Sequence, residues 1–491
     1  MPRKHRLSLP PTVWVTAEKF TQQILWVVLF AILGPLLGPR PYGLFALAMV
    51  AYGWIEALMI ECASETLLMS PEPTPRHYAV ANFTNGLAAT AASALAVASG
   101  FPIAALIKEP DFPLLMAALS PLPFLSASMA APMAYLQRRM QFQQLGLRSI
   151  TGLIIGGTIG VIFALRGAGV WALVAQILAQ RVAEAVIIWW GCRPLFVFSW
   201  DRKVFEDMRA CMTSLAISKS WNWMSQMVPS LMIGALLGPA ALGFFSIASR
   251  ISDVMCQVVL YPTAQVSHIQ FLQLNGDQEA ISAAFKRLLG RLALVAFPLA
   301  IGVAAVAHVL FHVWLGPKWE GAEVASVFMS LTVLPWTLFY GSTTLFFGLR
   351  LWRLEQHSQL VGLIAMIIAV TVAAPYGLNA VCAALLIRLV LMMSIPAFLW
   401  RRFARIELLA PFRAFLGPLT AASMMGACVW LAAPVLTRQI GSVFALPTLV
   451  TLGALLYSAG VLVVAPIQAR SFIDDTRQVV FGRLKALAAT K

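Results

Sequence analysis

Long apolar segments alternate with short polar breaks along the chain, from residue 24 to residue 467. A hydrocarbon layer about 30 Å thick takes roughly 20 residues of helix to cross, since an α-helix rises about 1.5 Å per residue. Cutting the chain at its charged and Pro/Gly-rich breaks therefore predicts an all-α, polytopic membrane protein with about fourteen transmembrane helices, arranged as twelve plus two. The predicted spans are 12–36, 42–64, 78–106, 112–135, 147–165, 168–190, 208–236, 240–266, 288–315, 322–348, 357–375, 377–400, 412–434 and 444–467.

The composition supports the same conclusion and excludes a soluble enzyme. Of the 491 residues, 60% are hydrophobic and only 11% are charged, whereas a soluble domain carries roughly 25% charged residues. The sequence contains no P-loop and no GxSxG or HExxH signature, so neither an ATPase nor a hydrolase is expected. We predict a protein that is not an enzyme and that uses no cofactor.

The chain is strongly basic, with 35 Lys and Arg against 20 Asp and Glu and a formal net charge of +15. About 25 of the basic residues fall in segments that the alternating spans place on one side of the membrane, and about five on the other. Because basic residues concentrate in cytoplasmic loops, both termini are predicted to be cytoplasmic. The charge is explained by membrane topology, and no nucleic-acid partner is expected.

An internal repeat is the most informative feature of the sequence. Residues 34–48 align with residues 234–248 at a constant offset of 200, and eight of the fifteen positions are identical. The copies begin at spans one and seven, so an even number of spans separates them and both run in the same direction. We therefore predict two parallel-repeat, six-helix lobes around a central cavity. The predicted domains are an N-lobe (1–200), a C-lobe (201–405) and two accessory helices with a cytoplasmic tail (406–491).

Two arginines lie near the predicted mid-plane of the membrane, Arg250 in span eight and Arg388 in span twelve. A charge at this depth costs at least about 2.5–3.5 kcal/mol, so such residues usually face a cavity or a partner. A guanidinium group matches phosphate oxygens bidentately and stays ionised, which makes both arginines candidates for binding a pyrophosphate. Asp253 follows Arg250 at i+3. It is either the partner of Arg250 in a structural ion pair or a site that couples transport to a proton or cation.

Two lysines occupy matching places in the repeat. Lys19 and Lys219 each lie seventeen residues inside the outer end of a span, which is about 25 Å along the helix toward the cytoplasmic leaflet. Each has an amide side chain at i+3, Gln22 and Asn222 respectively. These four side chains are candidate substrate contacts. The alternative is that the lysines extend to the membrane interface, as lysines near helix ends often do.

The six histidines provide a single helical pair, His308 and His312, at i, i+4 near the outer end of span nine. Two ligands do not make a metal site, so we predict no bound metal and interpret the pair as packing at the interface. The six cysteines are scattered and lack the spacing of a zinc site or a disulfide framework.

Five short motifs follow one another in a fixed order through spans one to ten: residues 37–48, 136–142, 167–176, 237–250 and 315–322. Together they resemble the polysaccharide (oligosaccharide-lipid) flippases of the multidrug/oligosaccharidyl-lipid/polysaccharide exporter superfamily. The resemblance implies an alternating-access flippase that moves undecaprenyl-pyrophosphate-linked oligosaccharide repeat units across the bacterial inner membrane, for export of exopolysaccharide or lipopolysaccharide O-antigen. It also implies membrane lipids and a polymerase or export machinery as partners.

Two other functions compete with this interpretation. A drug or organic-cation exporter of the same superfamily would need acidic and aromatic residues at the mid-plane, where this sequence has arginines. A membrane glycosyltransferase or polymerase acting on lipid-linked sugars would need carboxylates on the outer side. The candidates for such carboxylates are Glu109, Asp111, Glu320 and Glu323. The predicted external loops are short for holding a polymer acceptor, which favours transport.

Overall fold

The computed structural model describes residues 11–56, 62–192, 197–260, 263, 267, 271, 278–348, 352–403 and 409–466. The chain divides into two compact units, Met1–Ser246 (unit 1) and Ile247–Lys491 (unit 2). All regular secondary structure in the described residues is helical, which confirms the predicted fold class. The lobe boundaries at residues 200 and 405 stay a prediction.

The helices follow the hydrophobic segments closely. In chain order they are α1 (Pro11–Leu37), α2 (Pro39–Glu56), α3 (Cys62–Met69), α4 (Pro75–Ile107), α5 (Phe112–Leu119), α6 (Leu122–Arg138), α7 (Phe142–Leu165), α8 (Val170–Gly191), α9 (Arg202–Leu237), α10 (Pro239–Met255), α11 (Gln278–Val309), α12 (Glu323–Leu331), α13 (Val333–Gly348), α14 (Trp352–Ala373), α15 (Leu378–Met392), α16 (Ser394–Phe403), α17 (Leu409–Ile440) and α18 (Ser442–Val464). Two π-helices (Cys256–Leu260 and Leu310–Leu315) and two 3₁₀ helices (Pro317–Ala322 and Ala374–Tyr376) extend or connect them.

Within the described ranges, twelve helical segments are long and apolar enough to cross a membrane, and they coincide with twelve of the predicted spans. The remaining two predicted spans, 42–64 and 208–236, correspond to α2 with α3 and to α9. Residues 57–61 of the first lie outside the described residues. In the second only Gln226–Leu237 forms an apolar stretch, because the first half of α9 carries several charged side chains.

The two copies of the internal repeat have the same local structure. Gly38 separates α1 from α2, and Gly238, 200 residues later, separates α9 from α10. Their φ angles are 79° and 89°, in a region that glycine enters at little cost and other residues rarely adopt. The repeated glycines are therefore explained by a tight turn that each helix pair needs.

Within unit 1 the two copies also contact each other reciprocally. A Cβ atom built on Gly43 would overlap the main-chain carbonyl of Pro239, and one built on Gly243 would overlap the carbonyl of Pro39. These four residues are equivalent in pairs under the offset of 200. The contact is thus the same in both directions, as a local two-fold axis between the segments requires.

A row of glycines brings α7 and α8 into close contact. The glycines lie four residues apart on α7 and face polar side chains that lie four residues apart on α8. The facing pairs are Gly152 with Glu184, Gly156 with Gln180 and Gly160 with Gln176. Small residues at this spacing let membrane helices approach until their polar groups bond. Glu184 is 2% exposed and accepts hydrogen bonds from Gln180 and Arg181, at 2.9 and 3.1 Å.

Unit 2 has one large aromatic core between α11, α13, α16 and α17. Trp400 is fully buried, stacks on Phe285 with ring centroids 5.4 Å apart, and donates a hydrogen bond to the Ser342 hydroxyl at 3.1 Å. The two helices predicted to be accessory, α17 and α18, pack against α11. The Tyr457 hydroxyl on α18 donates to the Leu294 carbonyl of α11 at 2.8 Å, and the accessory role of the two helices stays a prediction.

We predict that Gly43→Ala and Gly243→Ala destabilise the protein by similar amounts. Each adds a methyl group where a main-chain carbonyl already lies, and overpacking of this kind costs about 1–3 kcal/mol. Thermal unfolding of the detergent-solubilised protein measures the loss. Gly290→Ala is the matched control, because no atom lies within 4 Å of its built Cβ, and it should leave the unfolding temperature unchanged or raised. Unequal losses at positions 43 and 243 would contradict the reciprocal contact.

Candidate functional site

A stripe of polar side chains runs along the exposed face of α10. Arg250, Asp253 and Gln257 are all exposed, and Ser246 lies half-buried one turn before them. The spacing i, i+4 and i+7 places Ser246, Arg250 and Asp253 on one side of α10, and Gln257 lies in the π-helix Cys256–Leu260 that continues α10. The opposite side is buried, and there the Ser252 hydroxyl donates to the Met329 carbonyl of α12 at 2.6 Å. The exposed face of this apolar span is therefore polar.

Other spans of unit 2 expose apolar side chains instead. On α14 the exposed positions include Ile364, Ile368 and Val372, which are 51%, 57% and 64% exposed. Hydrocarbon tolerates such a surface, whereas charged groups within a span face protein or a water-filled space. The polar stripe of α10 thus differs from the apolar surface of the other spans and suits contact with protein or with a water-filled space.

Arg250 and Asp253 lie together at the centre of this stripe. They are three residues apart on one helix face. Both side chains are exposed, so the guanidinium group is accessible to a further anion. The roles predicted for the two charges stay predictions.

Arg388 has a different environment from Arg250. It lies half-buried on α15, and its Nη1 donates to the main-chain carbonyl of Gly362 on α14 at 2.8 Å. Its Nε is buried and has no hydrogen-bond partner among the described residues. An unsatisfied guanidinium N–H inside a span is costly, so Arg388 has both a structural contact and donor capacity left for a ligand.

Lys219 forms an ion pair that the sequence did not reveal. Its Nζ lies 2.7 Å from Oε1 of Glu65 on α3, and the two side chains are 27% and 35% exposed. The pair joins α9 to α3 within unit 1. The side chain of Asn222, the predicted companion of Lys219, lies outside the described part of the structure.

The equivalent residues of the first repeat have other contacts. Lys19 is exposed on α1, while Gln22 donates to Glu18 on the same helix at 3.2 Å. A Cβ atom built on Gly146 of α7 would lie 3.5 Å from the Glu18 side chain. Lys219 thus pairs with Glu65 of another helix, whereas Gln22 bonds to Glu18 of its own helix, and substrate contacts by Lys19 and Gln22 stay predictions.

Two arginines at or near the ends of predicted spans have structural roles. Arg138 donates to four main-chain carbonyls at the end of α3 and in the following turn, at 2.6–3.1 Å, and so satisfies the carbonyls that a helix end leaves open. Arg148 is only 8% exposed and donates to the Met133 sulfur at 3.1 Å and the Ser149 hydroxyl at 3.2 Å. Counting charges in loops cannot identify either role.

A small basic cavity lies at the N-terminal end of α11. It has a volume of about 250 Å³ and is lined by Ser267, Phe271, Ala284, Arg287, Leu288 and Arg291. Arg287 and Arg291 are four residues apart and so share one face of the helix. Basic pockets between membrane helices bind anionic head groups, which makes this cavity a second place in unit 2 suited to a phosphate.

We predict that the Glu65–Lys219 pair stabilises the packing of α3 on α9. Glu65→Gln and Lys219→Met should each lower the free energy of unfolding by about 1–3 kcal/mol, because each leaves a half-buried charge without its partner. The double variant should lose less than the sum. The control pair Arg202–Glu206 lies 2.9 Å apart with side chains 83% and 51% exposed, and should show a coupling below about 0.5 kcal/mol. Additive losses for Glu65 and Lys219 would contradict the prediction.

Sequence comparison places the chain among proteins of polysaccharide biosynthesis. Residues 32–324 match a family described as "Polysaccharide biosynthesis protein". The succinoglycan biosynthesis transport protein ExoT of Rhizobium meliloti (strain 1021) is 26% identical over 330 residues, which cover 63% of this chain and 65% of ExoT. The teichuronic acid biosynthesis protein TuaB of Bacillus subtilis (strain 168) is 21% identical over 328 residues, 66% of this chain and 67% of TuaB. The matched region thus spans about two thirds of the length of these relatives.

Structural comparison extends the likeness to nearly the whole chain. The lipid II flippase MurJ in an inward closed conformation superposes with a TM-score of 0.74 at 12% identity, covering 94% of this chain and 100% of MurJ. An inward-facing multidrug resistance MATE family transporter of the MOP superfamily gives 0.57 at 15% identity, covering 80% and 96%. At these identities the likeness shows the fold alone. This chain belongs to the polysaccharide biosynthesis protein family and has the fold of the multidrug/oligosaccharidyl-lipid/polysaccharide exporter superfamily, as its motifs predict.

Proposed function

We propose that this protein is a flippase that moves a lipid-linked oligosaccharide across the membrane by its diphosphate-bearing head group. The observation that carries the proposal is the exposed polar stripe of α10 within an apolar span. A water-exposed guanidinium group in a span is suited to an anionic substrate. ExoT is named as a transport protein of succinoglycan biosynthesis and MurJ as a lipid II flippase, and both names fit a substrate of this class.

In this proposal Arg250 and Arg388 bind the diphosphate. Arg250 offers an exposed guanidinium fork, and Arg388 keeps a buried N–H beyond its bond to Gly362. Charge-assisted bonds to phosphate oxygens are shorter and about twice as strong as neutral ones. Asp253 lowers the net positive charge beside Arg250, so that the substrate can also leave, and it is the candidate for coupling transport to a proton or cation.

The remaining predicted contacts belong to unit 1. Lys19 and Lys219, together with Gln22 and Asn222, are proposed to bind polar parts of the same substrate. Lys219 is held by Glu65 at 2.7 Å, so its contact with an anion requires that this ion pair open or share the ammonium group. Because an ammonium has three donors, sharing needs no deprotonation.

The proposed setting follows the sequence analysis. The substrate is an undecaprenyl-pyrophosphate-linked repeat unit, the membrane is the bacterial inner membrane, and both termini are cytoplasmic. Transport proceeds by alternating access, the mode inferred from the parallel repeat. Membrane lipids and a polymerase or export machinery are the expected partners.

The described structure gives no special support to a polymerase acting on the same lipid. Three of the four candidate carboxylates on the predicted outer side lie beside basic groups. Glu109 accepts from Arg40 at 2.7 Å, Glu323 lies 3.2 Å from His308, and Glu320 lies 3.5 Å from His312. Contacts of this kind do not call for a catalytic role, which leaves transport as the function that best fits the family and the polar stripe.

We predict that Arg250→Gln lowers the flipping of undecaprenyl-pyrophosphate-linked oligosaccharide about ten- to hundredfold. Hydrogen bonds to charged groups contribute about 1.5–3 kcal/mol, and each 1.4 kcal/mol is tenfold. Flipping is measured in proteoliposomes as the fraction of labelled glycan that an added glycosidase can reach. Arg250→Lys should retain part of the rate, since it keeps the charge but not the fork.

Arg202→Gln is the matched control, because Arg202 is a largely exposed arginine near the start of α9, outside the apolar part of that helix. It should flip at the wild-type rate. Replacing the diphosphate of the substrate by a monophosphate should lower the flipping rate of the wild type by a larger factor than that of the Arg250→Gln variant. Equal rates for wild type, Arg250→Gln and Arg388→Gln would remove the proposed site, whereas a wild-type protein that flips no glycan would remove the function itself.

A further inference from the structure

The connection between α11 and α12 gathers four potential metal ligands. His308 lies near the end of α11, His312 lies in the π-helix Leu310–Leu315, and Glu320 and Glu323 lie in and just after the 3₁₀ helix Pro317–Ala322. Ligand atoms of His308, His312 and Glu323 all lie within 4.8 Å of one another. The two imidazole rings meet edge to face with centroids 4.2 Å apart. The fold thus adds carboxylates to a histidine pair that helical spacing alone left incomplete.

The distances in this cluster match those of a shared metal ion. The His308 Nδ1 lies 3.2 Å from both carboxylate oxygens of Glu323, and the His312 Nδ1 lies 3.5 Å from Oε1 of Glu320. Two ligands bound 2.0–2.1 Å from one tetrahedral zinc ion lie about 3.3 Å apart. Each of these two His–Glu pairs therefore already has nearly the separation that coordination requires, and the ligand atoms of His308, His312 and Glu323 have to close from at most 4.8 Å.

The local structure holds these side chains in place. Trp319 and Ala322 are fully buried on either side of Glu320 and anchor the 3₁₀ helix. A π-helical turn, frequent at functional sites, carries His312 beside His308. The side chains of His308 and Glu320 are 63% and 56% exposed, so an ion can reach the cluster from solvent.

We propose that His308, His312 and Glu323, completed by Glu320 or water, form a binding site for Zn²⁺ or a similar transition-metal ion. Imidazole nitrogen suits zinc, copper and nickel, whereas Mg²⁺ prefers oxygen ligands alone. Two carboxylates balance the double charge of the ion. The bound metal fastens the end of α11 to the start of α12, on the side of the membrane that the sequence predicts to be external.

The test uses full-length protein in detergent, purified without a polyhistidine tag and freed of metal with a chelator. Titration with Zn²⁺ against a chromophoric chelator should reveal one saturable site per chain. His308→Ala, His312→Ala and Glu323→Gln should each lower the affinity for Zn²⁺ by more than about tenfold. Removing a group that only supports a metal ligand already costs about that much. His357→Ala, which removes an exposed histidine on α14, is the matched control and should bind like wild type. Excess Mg²⁺ should not compete.

Two further measurements separate coordination from simple His–Glu ion pairing. Saturating Zn²⁺ should raise the unfolding temperature of the wild type and His357→Ala by a few degrees and leave that of His312→Ala unchanged. Co²⁺ should give the visible absorption bands of a tetrahedral site in the wild type, and these bands should be absent in His312→Ala. His312→Gln, which preserves side-chain polarity, replaces His312→Ala if the latter fails to fold. The absence of a saturable site, or equal Zn²⁺ binding by wild type and all cluster variants, would overturn the proposal.

Discussion

The cost of placing polar groups inside an apolar span constrains every part of this structure. Hydrocarbon offers no hydrogen-bond partner, so each such group must find one in the protein or face water. Glu184 is buried and bonded to Gln180 and Arg181 on its own helix. Arg388 uses a main-chain carbonyl of the neighbouring helix. Arg250 instead lies on an exposed face beside Asp253, and such a face suits contact with protein or water, not with hydrocarbon. The polar stripe of α10 is thus the part of this span least suited to lipid.

The same constraint accounts for the glycines at helix contacts. Polar side chains of α8 reach the surface of α7 only because glycines there remove the intervening atoms. Gly43 and Gly243 likewise leave room for a main-chain carbonyl, that of Pro239 and of Pro39 respectively, to lie directly against the helix backbone. Contacts of this kind bury backbone without interlocking large side chains. The proposed alternating access requires helices that repack without separating interdigitated side chains, and the repeat supplies such a contact twice.

Features set by local sequence could be predicted. The length of each apolar run determines where a helix crosses hydrocarbon, and twelve spans coincide with helices of the described structure. The repeated Gly-Pro pairs mark the turns at Gly38 and Gly238, where the backbone has a positive φ angle that favours glycine. The alignment of Ser246, Arg250 and Asp253 follows from helical spacing alone.

Contacts between distant segments could not be predicted. Glu65 and Lys219 are 154 residues apart in sequence, and nothing in either segment indicates that they meet. Arg148 lies at the very start of the predicted span 147–165, yet its side chain is buried against Met133. His308 and Glu323 are separated by a π-helix and a 3₁₀ helix, whose irregular geometry removes the simple spacing that relates residues within one α-helix.

The physical reason for this limit lies in the two environments that an apolar side chain can occupy here. In a soluble protein the apolar face of a helix points to the core, so the hydrophobic periodicity shows how the helix is rotated about its own axis. In a membrane protein the lipid-facing side is apolar as well, and the contrast disappears. On α14 the exposed Ile364 and the buried Met366 are both apolar, and the sequence cannot tell them apart. Only polar residues within a span carry information about rotation. For that reason the orientation of α10 could be inferred from its sequence, whereas the packing of the uniformly apolar helices became visible only in the structure.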